Sequence, residues 1–182
     1  MKARNPRTGV EDYEFAASTG EEIAAQAASL RERQIAWEAM GPEGRAGVLN
    51  RFAEAIDAAA PHIAGALSID TGRGAVSWIE VQGAAGNIRR WAARGPQLFA
   101  GLDRGPTASA TPGIEIITEY SAFPLFGAIC PWNFPVILSH IDAVPALMAG
   151  CAALVKPSEV TPRCVEPMRD VLAQVPELPL AY

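Results

Sequence analysis

Long apolar runs are what this chain most clearly lacks. Asn133, His140 and Asp142 interrupt the best candidate, so nothing reaches the roughly 20 apolar residues that a membrane-spanning helix needs. An excess of basic charge is missing too. The net charge of −5 leaves no electrostatic footprint for a nucleic-acid partner. Cysteine is scarce, and its count of three is odd: Cys130, Cys151 and Cys164 fit a reducing cytoplasm better than a disulfide framework. The two histidines are far apart and make no zinc site with those cysteines at any familiar spacing, so no metal is expected. Met1 to Phe15 has scattered charge and no apolar h-region, so no signal peptide is expected. What remains is 49% apolar and 19% charged, a composition that builds a globular core and argues against disorder. At 182 residues the chain is long enough for one domain, or is a piece of something larger.

The first hundred residues read as a helical layer. Asn5-Pro6-Arg7-Thr8-Gly9 is turn chemistry within a polar arm. Ser18 to Glu21 and Thr19 to Glu22 are overlapping capping boxes, and the helix after them should carry Ile23, Ala27, Leu30 and Trp37 on one face and end near Gly41. Val48, Phe52, Ala55 and Ala59 mark a second helix, closed by Pro61. A third helix over about 62–69 should end at the Thr71-Gly72 turn. Trp78, Val81, Ala85, Ile88 and Ala92 mark a longer fourth.

The texture changes at Gly101. Gly, Pro, Ser and Thr dominate through Gly113, and Ile114 to Thr118 then alternates as one strand of a hairpin or arm. Leu125 to Cys130 is short and continuously apolar, as a buried parallel strand is. A helix should follow Pro135, with Ile137, Ile141, Val144 and Met148 at helical spacing, a kink at Pro145 and a cap at Gly150. Ala152 to Lys156 reads as a second buried strand. Thr161-Pro162 reads as N-cap and first helical residue of a further helix, and Leu178 to Tyr182 as the beginning of a third strand. Strand, helix, strand, helix, strand predicts an α/β fold with a parallel sheet, whose ligands sit beyond the carboxyl ends of the strands. Asn133 lies just past the first such end and Lys156 at the second. No G-x-G-x-x-G follows either strand, and there is no internal repeat.

Pro131-Trp132-Asn133-Phe134-Pro135 and, 23 residues after Asn133, Lys156-Pro157-Ser158-Glu159 resemble hallmark segments of the NAD(P)-dependent aldehyde dehydrogenases at their usual separation. Asn5-Pro6-x-Thr8-Gly9, Pro145-Ala146-Leu147 and Ala149-Gly150 are similar to that family as well. The likeness runs over nearly the whole chain but covers only the amino-terminal portion of a typical member. It implies a polar arm (1–19), the helical part of a cofactor-binding domain (20–100), a β-hairpin or oligomerisation arm (101–122) and the first βαβαβ of a Rossmann-like sheet (123–182).

The resemblance also implies roles. In the family a cysteine thiolate attacks an aldehyde, and the amide of the matching Asn donates to the resulting oxyanion. Asn133 takes that role; the plainer reading is an Asn that merely tolerates a turn. Lys156, Ser158 and Glu159 fall on the cofactor-binding segment, where Lys156 and Glu159 would hold the adenosine ribose. A carboxylate there repels a 2′-phosphate, which favours NAD over NADP. The plainer reading is a surface pair beside a proline turn. Ile129 and Trp132 match residues lining the cofactor cleft, and as core residues they would look the same. Cys130 closes an apolar strand and reads as a buried, inert thiol. His140 and Asp142, at i and i+2 of a helix, cannot face each other and read as packing or interface residues.

The family's segments Gly-Gln-x-Cys, Glu-Leu-Gly-Gly-Lys and Gly-Ser-x-x-x-Gly, which carry the nucleophile, the general base and the pyrophosphate turn, do not occur here. The expectation is therefore an aldehyde dehydrogenase portion that does not turn over alone, and that forms a homo-oligomer or joins a complementary part. The alternatives are a non-catalytic NAD-binding or oligomer-forming module, or an inert remnant of a disrupted reading frame.

Overall fold

A computed structural model describes residues 1–102 and 105–182. Positions 103 and 104 of the expected arm lie outside the described residues. The polar arm forms a hairpin of β1 (Lys2–Arg4) and β2 (Glu11–Glu14). Its turn closes where Asn5 Oδ1 accepts from the Arg7 amide at 3.0 Å and Gly9, at φ 75°, donates to the Asn5 carbonyl. The arm is tied down rather than loose. Arg7 donates to the Gly72 carbonyl, and Arg163 bridges Asp12 and Asp70 with its guanidinium over the Tyr13 ring.

Helix α1 (Gly20–Ala39) starts on the second of the two overlapping boxes. Thr19 Oγ1 accepts from the Glu22 amide at 3.2 Å, and the Glu22 carboxylate accepts from the Thr19 amide at 2.7 Å. Leu30 and Trp37 are buried as expected, but Ala27 is only half-buried and Ile23 is exposed along with the rest of residues 20–26. Trp37 Nε1 donates to the Leu147 carbonyl at 2.8 Å.

Helix α2 (Gly41–Thr71) overturns the expected break at Pro61: one helix runs straight through it. An interior proline costs about 3 kcal/mol. Phe52, Ile56, Ile63 and Leu67, on both sides of Pro61, are fully buried at about 1.5–3 kcal/mol each, so packing wins. The helix stops at the expected Thr71-Gly72 turn, where Gly72 at φ 70° forms a left-handed cap. Helix α3 (Ala75–Ala100) packs back on α2 through Val81, Ala85, Ile88 and Ala92; Trp78, expected on that face, is exposed.

Beyond the layer, β3 (Thr107–Ala108) pairs antiparallel with β4 (Glu115–Ile116), a hairpin shorter than the alternation of 114–118 suggested. The parallel sheet has the order β5 (Leu125–Ile129), β6 (Ala152–Lys156), β7 (Leu180–Ala181). The expected single helix after Pro135 is two, α4 (Pro135–Ile141) and α5 (Ala143–Ala149), broken at Asp142. Pro145 has no N–H to give the Ile141 carbonyl, so the break falls just before it. Gly150 caps α5 at φ 102°. Helix α6 (Val165–Ala173) begins later than Thr161-Pro162. Thr161 caps nothing: its hydroxyl is buried without a partner, while Asp70 takes the Arg163 amide and holds the segment in a turn. One core joins α2 and α3 to α4, α5, α6 and the sheet.

Candidate active site

The parallel register decides what the site contains. Ile129, the last residue of β5, pairs with Lys156, the last of β6, and the Cys130 amide closes the ladder on the Lys156 carbonyl at 3.0 Å. The Pro131–Phe134 turn and the Pro157–Val160 turn therefore leave the same carboxyl edge of the sheet. Ile129 is 87% exposed and Trp132 60%, so neither is a core residue of this chain. Asn133 is exposed as well.

On the neighbouring strand end, the Lys156 ammonium contacts the Glu159 carboxylate, and both side chains are exposed. That hydrogen bond holds the Glu159 carboxyl below its usual range. Together they set a donor and an acceptor side by side, the pair that the vicinal hydroxyls of a ribose can use. Ser158 differs from its neighbours. It is only 5% exposed, and its hydroxyl accepts from the Val160 amide at 3.2 Å, so it shapes the turn from within.

Two further residues grip the Pro-Trp-Asn turn, and the sequence reading did not single them out. Arg73, in the α2–α3 connection, donates to the Asn133 carbonyl at 2.6 Å and lies over the Phe134 ring at 4.5 Å. Glu80, on α3, accepts from the amides of Val136 at 2.8 Å and Ile137 at 3.4 Å, and faces Arg73 at 3.5 Å. Burial pushes the Glu80 carboxyl up, while the two amides and Arg73 pull it the other way. A signal for Glu80 was present: it stands on the buried stripe of α3, between Ser77 and Ala84, where an acid has no reason to be unless it is paired.

The remaining candidates are inert. Cys130 is buried, its thiol is pushed up by desolvation, and its Sγ faces the Leu138 carbonyl at 3.8 Å. Cys151 is pushed up in the same way and Cys164 to about 12, so none of the three is held as a thiolate. His140 is fully buried; Nδ1 donates to the Val136 carbonyl at 2.7 Å and Nε2 accepts from the Tyr182 hydroxyl at 2.6 Å. Desolvation lowers it to about 4, and Asp142 is exposed, so His140 is a packing residue. Among the described residues no helix is long and apolar enough to cross a membrane, and no group of three or more His, Cys, Asp or Glu is placed to hold a metal.

A model of the aldehyde dehydrogenase family matches residues 1–180. Geranial dehydrogenase of Castellaniella defragrans is 35% identical over 139 residues, covering 74% of this chain and 28% of that protein. Betaine aldehyde dehydrogenase of Cereibacter sphaeroides is 32% identical over 171 residues, covering 93% of this chain and 34% of that protein. The solved structure of an Anabaena variabilis protein assigned to the aldehyde dehydrogenases, PutA, superposes with a TM-score of 0.91 at 38% identity, covering 98% of this chain and 38% of that one. The chain thus spans about a third of the length of the proteins it matches.

Proposed function

The chain belongs to the aldehyde dehydrogenase family, and from that premise we propose that its sheet edge supplies the oxyanion donor and the ribose clamp for NAD-dependent oxidation of an aldehyde to a carboxylic acid. The observation that carries this reading is the pairing of Ile129 with Lys156, which sends both turns off one edge.

In this reading the Asn133 side-chain amide donates to the oxygen of the thiohemiacetal as it gains negative charge. One such donor is worth about 3–4 kcal/mol of barrier, a factor of roughly 100 to 1,000. The amide is neutral, so it serves across the pH range without titrating. Lys156 and Glu159 hold the adenosine ribose hydroxyls, and their ion pair opens to admit them. Ile129 and Trp132 form the apolar wall of the cofactor cleft, which accounts for two large side chains left in water. Ser158, assigned to cofactor binding by its segment, acts by shaping the turn that aims Lys156 and Glu159. NAD bound at this edge supplies the acceptor for the hydride that leaves the aldehyde carbon. The Glu159 carboxylate repels a 2′-phosphate, so NAD is favoured over NADP.

In this reading none of Cys130, Cys151 and Cys164, all of them buried, serves as the nucleophile, and the chain by itself binds nucleotide without turning over. The exposed apolar residues Ile114, Ile116, Ile117, Tyr120 and Phe123, with the open edge of β5, favour a homo-oligomer or a complementary part. A reducing, cytoplasmic setting suits the free thiols. Thermal denaturation with NAD and with NADP tests the reading. NAD at millimolar concentration should raise the midpoint more than NADP does, and Glu159→Ala should narrow the difference. No shift with either nucleotide, or an equal shift that Glu159→Ala leaves unchanged, overturns it.

A further inference from the structure

We propose that Arg73 and Glu80 are positioning residues that hold the Asn133 turn at the sheet edge and couple it to the helical layer; this rests on the reading of Asn133 as oxyanion donor. Helix α4 begins without a cap of its own. Its N-cap, Phe134, makes no side-chain capping bond, and Pro135 at the first helical position has no N–H to give. The orphan amides are those of Val136 and Ile137, and Glu80 Oε1 takes both from a different helix. The Glu80 side chain is wholly excluded from water, a costly place for a carboxylate unless donors converge on it. Three do: the two amides and Arg73.

Arg73 completes the grip at Asn133 itself. It donates to the Asn133 carbonyl and covers the next ring, Phe134. Its own place is fixed by Gly72, the left-handed cap of α2, and by the Ser77 hydroxyl, which donates to the Arg73 carbonyl at 2.8 Å. The Asn133 side chain is exposed and forms no hydrogen bond among the described residues, so what the fold fixes is the backbone that carries it: Arg73 holds the Asn133 carbonyl, and Glu80 holds the helix start three residues on. An oxyanion donor tolerates little displacement, since about 1 Å of misplacement can cost on the order of a hundredfold in rate.

Amide hydrogen exchange and backbone NMR relaxation on the 182-residue chain test this without any aldehyde. Glu80→Ala should speed exchange at Val136 and Ile137 about tenfold or more, while amides of the α2 core keep their rates. Should Glu80→Ala fail to fold, Glu80→Met carries the test, since it keeps much of the volume, removes the acceptor and should speed the same two amides. Arg73→Met should lower the backbone order at Asn133 and Phe134, and Arg73→Lys should restore part of it. Asn133→Ala keeps the carbonyl that Arg73 holds and should leave exchange at 136 and 137 as it was. These rates do not depend on whether Asn133 meets an oxyanion, so failure of the clamp and failure of the oxyanion reading are distinguishable. Unchanged Val136 and Ile137 exchange in Glu80→Met, unchanged backbone order at Asn133 in Arg73→Met, or a uniform acceleration across the chain would each overturn the proposal.

Discussion

The inward faces of helices α2 and α3 and the carboxyl edge of the sheet treat large apolar side chains in opposite ways. In the helical layer Phe52, Ile56, Ile63, Leu67 and Ile88 are fully buried, and packing there is strong enough to carry a helix through a proline. At the edge Ile129 and Trp132 stand in water, beside an exposed amide and an exposed ion pair. The difference separates residues that make the fold from residues that the fold presents. Arg73 and Glu80 are the link between the two regions, reaching from the layer to the turn.

That contrast can be broken most forcefully by truncation. Phe52→Ala should cost about 3–5 kcal/mol in urea denaturation, whereas Trp132→Ala should stay within about 0.5 kcal/mol. Comparable losses from the two would erase the distinction.

A second test uses acid, which should reach the core before the edge. His140 is held neutral in the fold, with its folded value near 4 against the usual 6.5. Above pH 6.5 neither state binds the proton and the contribution is intact. As pH falls below 6.5 the unfolded chain takes up a proton that the folded chain refuses until about 4, so stability declines across that window by about 3 kcal/mol in all. Denaturation between pH 7 and 4 measures the slope, and His140→Gln should flatten it.

The smallest effect sharpens the comparison from inside the layer. Pro61 is exposed and sits within an unbroken helix. Pro61→Ala should therefore stabilise by about 2–2.5 kcal/mol, the helical gain less the entropy regained by the unfolded chain. A loss of stability would mean that the ring packs in a way its exposure does not suggest.

Signals that act over a few residues were legible in the sequence. The Thr19–Glu22 box, the left-handed glycines 72 and 150, and the parallel strands around Asn133 and Lys156 all follow from short-range rules. What was not legible depends on partners far along the chain. Pro61 looked like a stop because the burial that overrides it is supplied by α3. Thr161 looked like a cap because nothing nearby in sequence announces that Asp70 takes the Arg163 amide. Ser158 looked like its exposed neighbours because its burial depends on the turn that it closes. Arg73 and Glu80 precede the turn they hold by more than fifty residues, and only the misplaced acid on an apolar stripe hinted at them.

The central claim is that two adjacent strand ends form one nucleotide-binding edge. Titrating NAD into isotopically labelled chain to millimolar concentration, with amide resonances followed throughout, tests it most directly. The account predicts shifts at both Ile129–Asn133 and Lys156–Glu159, abolished together by Lys156→Ala. Shifts confined to one segment, or centred on the exposed faces of α2 and α3, would contradict it.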